Sequence, residues 1–241
     1  SVTGGENVLV EINDFTVIFT SNADWNGTET LTFMVDDAQG RAVATDDIDV
    51  VVIPVNDAPV LTAISNQETN EDTPLVLMLE ATDVDEDELT FDALSNSPSD
   101  VNVVVSGDTL TMTPAEDFNG DVQISVSVTD GEYTDNTVFT LTVTPVNDDP
   151  TIELPESFTF EEDGELIENF TQYIGDIDED LLTLTVSGMV NVTVSIDGFV
   201  VTFGALQDFY GTEALTFTVN DNQDRAIASD SLDIIVTPVN D

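Results

Sequence analysis

The chain contains 241 residues, of which 41% are hydrophobic, and its 50 acidic residues face only two basic ones, giving a formal net charge of −48. This length and apolar content predict two or three small domains with cores of their own, and the charge excludes partners such as nucleic acid or anionic lipid. Because cysteine and histidine are absent, only oxygen ligands remain for a metal, which favours hard cations, calcium first.

A phrase rich in proline, asparagine and aspartate recurs along the chain, as IPVNDAP at 53–59, TPVNDDP at 144–150 and TPVND at 237–241. Residues 1–57 align with residues 185–241 without a gap, and 29 of the 57 positions are identical. Half of the offset of 184 residues is 92, the length of one small domain. We therefore predict three tandem repeats, with bounds 1–57, 58–148 and 149–241.

The first repeat is predicted to be incomplete, because Ser1 aligns with Thr185 and the counterparts of residues 150–184 would precede it. The chain is therefore interpreted as a piece of a longer protein. A sandwich that lacks early strands exposes core residues and an unpaired edge. We expect either a partly ordered half-domain or strand donation, with these core residues exposed: Val8, Val10, Phe15, Val17 and Phe19.

Seven short segments of the middle repeat are rich in valine, threonine, isoleucine and phenylalanine, and several alternate apolar with polar residues, as half-buried strands do. They lie at 60–64, 73–79, 88–94, 101–106, 109–113, 122–128 and 137–143. Turn-forming sequences separate them. The predicted fold is all-β: tandem immunoglobulin-like Greek-key β-sandwiches in a linear array.

Two acidic clusters occupy equivalent places in the second and third repeats. ATDVDEDELT at 81–90 contains Asp83 and Asp85, and the corresponding aspartates of IGDIDEDLLT at 174–183 are Asp176 and Asp178. On an extended segment such a pair points to one side, about 6–7 Å apart, which suits two oxygens around one ion. An EF-hand loop is excluded, because its glycine and its final glutamate are missing. A solvated acidic turn is the alternative interpretation.

One further aspartate follows the penultimate strand of each repeat: Asp37, Asp130 and Asp221. A sandwich brings such loops to its ends, where the inter-repeat phrase also lies, so Asn56 and Asp57 can meet the acids of the next repeat. Carboxylates about 4 Å apart repel by about 4 kcal/mol per pair at an effective dielectric of about 20. Converging acids of this kind therefore require a divalent ion, or they splay apart.

The chain resembles cadherin-type repeats, in particular the cadherin-like repeats of large bacterial surface adhesins and extracellular proteins. The resemblance rests on PVNDAP, on DVDED and DIDED, on DFNG, and on the TD or ND after the penultimate strand. It covers nearly the whole chain and implies calcium ions at the junctions between repeats. At the first junction it implies the ligands Asn56, the Ala58 carbonyl, Asp83, Asp85 and Asp130. At the second junction it implies Asn147, the Asp149 carbonyl, Asp176, Asp178 and Asp221.

The resemblance also implies ligands on the preceding side of each junction. Asp57 and Asp148 would face the preceding repeat, which offers chiefly Asp24 at the first junction and Glu71, Asp72 and Asp117 at the second. The first aspartate of the family linker is replaced here by proline, at Pro54, Pro145 and Pro238. We therefore expect fewer ions per junction than in the family, and better occupancy at the second junction.

Calcium-dependent extender repeats of a secreted or surface-attached adhesin are the predicted function, with neighbouring repeats of the same chain as partners. The alternative is a recognition module that binds glycan, peptide or a like repeat in adhesion. An enzyme is excluded, because the sequence shows no nucleophile and base pair and no cofactor motif. The expected location is extracellular or on the cell surface, without direct membrane insertion.

Overall fold

The computed structural model describes residues 1–37, 39, 43–223 and 227–240. Arg41 and Arg225, for which the sequence suggests exposed ion pairs, lie outside these residues. The chain forms two compact units, unit 1 (Ser1–Val143) and unit 2 (Thr144–Asp241).

The N-terminal segment (residues 1–57) belongs to unit 1. Its strands are β1 (Val2–Thr3), β2 (Val8–Asn13), β3 (Thr16–Ser21), β4 (Gly27–Asp36) and β5 (Val43–Val52). They form a three-stranded sheet in the order β1-β4-β5 and a hairpin of β2 with β3. Both sheets are antiparallel.

The rest of unit 1 is a sandwich of two sheets. Its strands are β6 (Val60–Leu61), β7 (Gln67–Asn70), β8 (Leu75–Met78), β9 (Ala81–Thr82), β10 (Thr90–Ser95), β11 (Val101–Ser106), β12 (Thr109–Pro114), β13 (Gly120–Thr129) and β14 (Thr134–Thr144). One sheet has the order β10-β13-β14-β7 and the other β11-β12-β8, while β6 pairs with β9.

Unit 2 repeats this arrangement. Its elements are β15 (Thr151–Ile152), β16 (Ser157–Glu161), β17 (Leu166–Asn169), a 3₁₀ turn (Phe170–Gln172), β18 (Ile174–Gly175), β19 (Thr183–Ser187), β20 (Val192–Asp197), β21 (Val200–Ala205), β22 (Gly211–Asn220) and β23 (Ile227–Thr237). The sheets have the orders β16-β23-β22-β19 and β17-β21-β20, and β15 pairs with β18. Strand β16 runs parallel to β23.

Alternation along the strands builds each core. In β13, every second residue from Val122 to Val128 is buried, and the residues between them face outward, as the two-residue period of a strand requires. These residues pack against Leu110 and Met112 of the opposite sheet. The predicted fold class, all-β with tandem immunoglobulin-like sandwiches, is confirmed.

Two polar or very short strands of the middle repeat are missing from the sequence prediction. Strand β7 has the sequence QETN and β9 has only two residues, so neither shows apolar alternation. The strand predicted at 73–79 begins only at Leu75. Thr73 and Pro74 are therefore not part of it. Backbone pairing to a neighbour, and not side-chain pattern, defines these edge strands.

The N-terminal segment is only partly open. Val8 is 1% exposed, so the expectation of an exposed Val8 is wrong: its own N–H donates to Glu29 of β4 at 2.6 Å and fixes it against that strand. Phe15 lies in the β2–β3 turn and is fully exposed, and Phe19 is 41% exposed, as predicted. Val10 and Val17 are half-buried.

Glu29 and Glu213 hold loops in place by accepting backbone N–H bonds at equivalent positions. Glu213 accepts from Val190, Asn191 and Val192 at 2.6, 2.8 and 3.2 Å. Partial burial alone would raise the pKa of Glu213, but these donors together outweigh it and lower the pKa below its ordinary value of 4.5. The pKa of Glu29 is lowered by the same balance, with donors from Glu6 to Val8.

We predict that Glu213→Gln lowers the melting temperature of unit 2 at neutral pH by roughly 4–8 °C, the shift that a loss of about 1 kcal/mol produces in a domain of about 100 residues. A lowered folded-state pKa gives stability that is present above the ordinary value of 4.5 and is lost as the pH falls through the folded-state pKa. The difference between the variant and the unmodified chain should therefore shrink in acid. Calorimetry from neutral to acidic pH measures it, with the exposed Glu165→Gln as control. A difference that is independent of pH would contradict this role.

Candidate metal centre

The acidic cluster of unit 1 lies in the loop between β9 and β10. Val84 and Asp85 form a bend, and Glu86 adopts a left-handed conformation with φ of 61°. The prediction of an extended segment is therefore wrong here: the backbone turns and gathers the acids instead of spacing them along a strand. In unit 2, Glu179 takes the same conformation, with φ of 60°.

This bend brings three carboxylates together. Asp83 Oδ1 accepts the backbone N–H of Asp85 at 2.9 Å and that of Asp87 at 3.4 Å. Oxygens of Asp83, Asp85 and Asp87 all lie within 4.8 Å of one another. Such a spacing fits oxygens that share one cation with ligand distances of about 2.3–2.6 Å.

Unit 2 contains the same cluster. Carboxylate oxygens of Asp176, Asp178 and Asp180 lie within 4.8 Å of one another. Asp176 Oδ1 accepts the N–H of Asp180 at 3.1 Å. The two clusters therefore have aspartates at equivalent positions. In both, the first aspartate accepts the backbone N–H of the third.

The first aspartate of each cluster has one buried oxygen with no hydrogen-bond partner in the described part of the chain: Oδ2 of Asp83 and Oδ2 of Asp176. Burying an unpaired carboxylate oxygen is costly unless a cation or a donor compensates it. The equivalent oxygen is unpaired in both units, so the unpaired oxygen is a property of the acidic loop itself. All-oxygen ligands, gathered and partly desolvated, fit calcium.

The inter-repeat phrase is bound to the cluster that follows it. The backbone N–H of Asp57 donates to Asp85 Oδ2 at 2.7 Å. In unit 2, the N–H of Asp148 donates to Asp178 Oδ2 at 2.8 Å. The phrase is therefore joined to the acidic loop through the second aspartate of each cluster.

The later aspartate of each repeat is bound to the asparagine of the inter-repeat phrase. Asn56 Nδ2 donates to Asp130 Oδ2 at 2.9 Å, and Asn147 Nδ2 donates to Asp221 Oδ2 at 2.8 Å. Asp221 is only 1% exposed, so its charge is largely removed from water. In this arrangement Asn56 and Asn147 orient a carboxylate through their amide nitrogens.

Asp130 is held in its charged form by its own loop. It accepts backbone N–H bonds from Tyr133 at 2.6 Å and Glu132 at 2.7 Å. The bond from Tyr133 is the largest influence, and it lowers the pKa of Asp130 against the opposing effect of burial, with further help from Glu132 and Asn56. An aspartate that stays ionised is suited to bind a cation.

The other predicted ligands lie as follows. Asp24, Asp57 and Asp85 line one cleft of unit 1. Glu71 is buried, and Asp72 accepts the N–H of Asp117 at 3.3 Å. Ala58 and Asp149, whose carbonyls are predicted ligands, are exposed.

Several acids of the site are absent from the predicted ligands. Asp87 and Asp180 lie in the acidic segments DVDED and DIDED without being predicted ligands, and the structure brings both into the clusters. Asp135 Oδ2 and Asp230 Oδ2 accept the N–H of Leu61 and Leu154 at 2.9 and 2.8 Å, which anchors the start of each repeat. These two aspartates are 95 residues apart, outside the spacing of 91 and 93 residues between the repeats, so the repeat period gives no signal for them.

Glu162 is a further missed residue, at the position of Glu71 one repeat later. It is 8% exposed, and its Oε1 accepts the N–H of Val239 at 2.7 Å. Val239 belongs to the TPVND phrase. In unit 2 this glutamate therefore fixes the phrase that leaves the repeat.

Family models match both complete repeats. Residues 55–144 match the model described as a cadherin-like domain, and residues 147–237 match the model described as a bacterial Ig domain. The comparison with curated proteins gave no match.

Solved cadherin structures share the fold. Protocadherin gamma B2 extracellular cadherin domains 1–5 are 17% identical to this chain, with a TM-score of 0.60. The match covers 100% of this chain and 52% of the protocadherin chain. PcdhgB3 EC1-4 is 16% identical, with a TM-score of 0.63, and the match covers 99% of this chain and 66% of that one. Mouse protocadherin-24 EC1-3 is 16% identical, with a TM-score of 0.53, and the match covers 98% of this chain and 89% of that one. At these identities the likeness shows the fold alone.

An endo-fucoidan hydrolase, MfFcnA4 from glycoside hydrolase family 107, is 18% identical and covers 99% of this chain, with a TM-score of 0.34. That score is too low to support an argument. The chain spans 39% of the length of this hydrolase and 52% of the protocadherin gamma B2 fragment.

The chain is a protein of tandem immunoglobulin-like β-sandwiches, the class that the sheets, the acidic clusters and the comparisons define together. Within that class, residues 55–144 match a cadherin-like domain and residues 147–237 match a bacterial Ig domain, which supports cadherin-like tandem repeats. Domains of this kind are typically non-enzymatic modules for structure or adhesion and are typical of extracellular and surface proteins. Among the described residues, no helix is long and apolar enough to cross a membrane.

We predict opposite effects of Asp83→Asn and Asp176→Asn with and without calcium. In chelator each substitution should raise the melting temperature, because it removes one of three clustered charges while its Oδ1 still accepts the loop N–H. In calcium the same substitution should reduce the stabilisation, which at a calcium concentration about 100 times Kd would be about 2.7 kcal/mol per site.

Thermal melts in chelator and in millimolar calcium measure both effects. Asp92→Asn on β10 serves as the control, since Asp92 is exposed and outside both clusters. Equal effects of the cluster and control substitutions under both conditions would show that the clusters are merely solvated acidic turns.

Proposed function

We propose that these repeats are calcium-binding structural or extender modules of a secreted or surface-attached adhesin, in which calcium at the junctions stiffens the array. The observation that carries the proposal is the buried, unpaired Oδ2 of Asp83 and of Asp176, each within a cluster of three carboxylates. A divalent cation would offset two of the three negative charges of each cluster.

The chain's own residues prepare this binding. Asp85 and Asp178 bind the inter-repeat phrase through backbone N–H groups, so an ion held by the cluster would also fix the phrase. Asn56 and Asn147 position the later aspartate of each repeat. A stiff linker is the expected result, because the proline of the phrase already restricts its backbone.

We propose that the preceding repeat completes each site, as the cadherin resemblance implies. Asp24 at the first junction is supported by the cleft that it shares with Asp57 and Asp85. For the second junction we propose Glu71, Asp72 and Asp117 as the preceding ligands, with Asp148 and the Asp149 carbonyl; the Ala58 carbonyl plays the equivalent part at the first. The bounds of the repeats, 1–57, 58–148 and 149–241, belong to the same proposal.

The proposed location is outside the cell or on its surface, where calcium modules typically bind with Kd of about 10⁻⁴ to 10⁻³ M. The proposed partners are calcium ions, neighbouring repeats and like repeats of other chains. The array would then be stiff outside the cell and loosely linked where calcium is scarce.

Small-angle X-ray scattering of the full chain tests the stiffening. We expect the maximum dimension to become longer and better defined when chelator is replaced by millimolar calcium, because fixed linkers remove bent conformations. The double variant Asp83→Asn/Asp176→Asn should lose this response, whereas Asp92→Asn should keep it. Scattering curves that superimpose with and without calcium would refute the proposed function.

A further inference from the structure

The start of each complete repeat is tied to its last strand by a carboxylate. Asp135 Oδ2 of β14 accepts the backbone N–H of Leu61 at 2.9 Å, and Asp230 Oδ2 of β23 accepts that of Leu154 at 2.8 Å. In both aspartates the other oxygen accepts the backbone N–H of the next residue at 2.8 Å. Because both oxygens are bonded, each side chain has a fixed direction and holds the incoming chain at one point.

The two aspartates do not occupy equivalent positions in their strands. Asp135 pairs with Val128, whereas Asp230 pairs with Phe217. The counterpart of Val128 is Val219, 91 residues later, and Phe217 precedes it by two residues. The carboxylate of unit 2 therefore lies two residues further along its strand than the carboxylate of unit 1.

The residue that each aspartate anchors is displaced by the same amount. Leu61 is the second residue of β6, and its counterpart Ile152 is the second residue of β15. Leu154 lies two residues beyond Ile152. Donor and acceptor therefore differ by two residues between the units, yet the bond between them is present in both. Two different sequences thus produce the same anchor.

The hairpin of β13 and β14 holds the inter-repeat phrase on both sides. Asp130, just after β13, accepts the side-chain N–H of Asn56 at 2.9 Å, and Asp135, near the start of β14, accepts the N–H of Leu61. Pro59, which lies between these two points in the sequence, is buried. Unit 2 contains both contacts as well. The phrase is therefore fixed at both ends of the segment 56–61.

We propose that Asp135 and Asp230 are positioning residues of the calcium sites: each fixes the backbone of the phrase and so presents its ligands, the Ala58 and Asp149 carbonyls among them. This inference rests on the proposed function. Neither aspartate belongs to the carboxylate clusters found among the described residues, so both act through the phrase and not on the ion. Removal of residues that orient metal ligands typically lowers metal affinity by about 10–100-fold. Without the anchor, the ion would have to order the phrase itself, and this entropy cost weakens binding.

A site-resolved calcium titration of the full chain tests the proposal. Amide hydrogen exchange in residues 83–87 reports on the first site, and exchange in residues 176–180 reports on the second. Asp135→Ala should raise the calcium concentration at the midpoint for 83–87 by at least about tenfold and leave the midpoint for 176–180 unchanged. Asp230→Ala should do the reverse. Each chain contains its own reference site, so a change in net charge alone cannot produce this pattern.

Two further variants separate anchoring from charge. Asp46 is the counterpart of Asp230 in the N-terminal segment and also accepts the N–H of the next residue, at 3.1 Å, but in the described chain it holds no strand start. Asp46→Ala should therefore leave both midpoints unchanged. Asp135→Asn loses the charge but keeps an oxygen that can accept the N–H of Leu61, so it should retain most of the affinity that Asp135→Ala loses. An asparagine variant as weak as the alanine variant would reduce the effect to charge and overturn the proposal.

Hydrogen exchange in chelator distinguishes positioning from a general role in folding. Asp135→Ala should speed exchange in residues 55–59 while β12 stays protected. If unit 1 of this variant unfolds, the Asp230→Ala chain provides the test; unfolding in both variants would show a general structural role and overturn the proposal. Unchanged midpoints in both alanine variants would overturn this inference and leave the proposed function intact. An unmodified chain that binds no calcium at either site would overturn the proposed function, and this inference with it.

Discussion

The structure depends on one unfavourable interaction: like charges gathered beside a partly desolvated carboxylate oxygen. Asp83 and Asp176 each turn one oxygen toward the backbone of the acidic loop and bury the other without a partner in the described chain. Repulsion between charges at about 4 Å is weak in bulk water and about four times larger at an effective dielectric of about 20. A cation bound at the clusters would therefore relieve this repulsion.

The chain has almost no basic side chains, and it uses backbone N–H groups in their place. Glu29, Glu213 and Asp130 each accept several such bonds, and their pKa values fall as a result. Asp135 and Asp230 fix the start of a repeat in the same way, through the N–H of Leu61 and Leu154. Amide donors are fixed in the backbone, so they do not dissociate as a bound ion does, and they favour the charged form of the acid. These backbone bonds stabilise the loops of the fold. The clusters around Asp83 and Asp176 are therefore the places where a bound cation would add stability.

Much of this was predictable from the sequence, because repetition supplied two or three versions of each motif. Strands such as β11 follow from alternation alone, and the acids Asp85 and Asp130 follow from their period. Strand β7 was not predictable, since its QETN sequence gains strand geometry from a neighbouring edge. The bend at Glu86 was missed because a left-handed residue other than glycine carries no distinct sequence signal. That bend is what adds Asp87 to the cluster.

The acidic loops keep their geometry although the cores behind them differ. The unit 1 core is built mainly of valine, leucine, isoleucine and methionine, whereas Phe170, Phe203 and Phe217 form the centre of the unit 2 core. If core packing positioned the acids, the two clusters would differ; instead the left-handed residue, the Oδ1 contact to the backbone and the buried Oδ2 recur in both. The site is therefore encoded by local turn chemistry. A module of this kind can change its core while keeping its junction, which is what a tandem array requires.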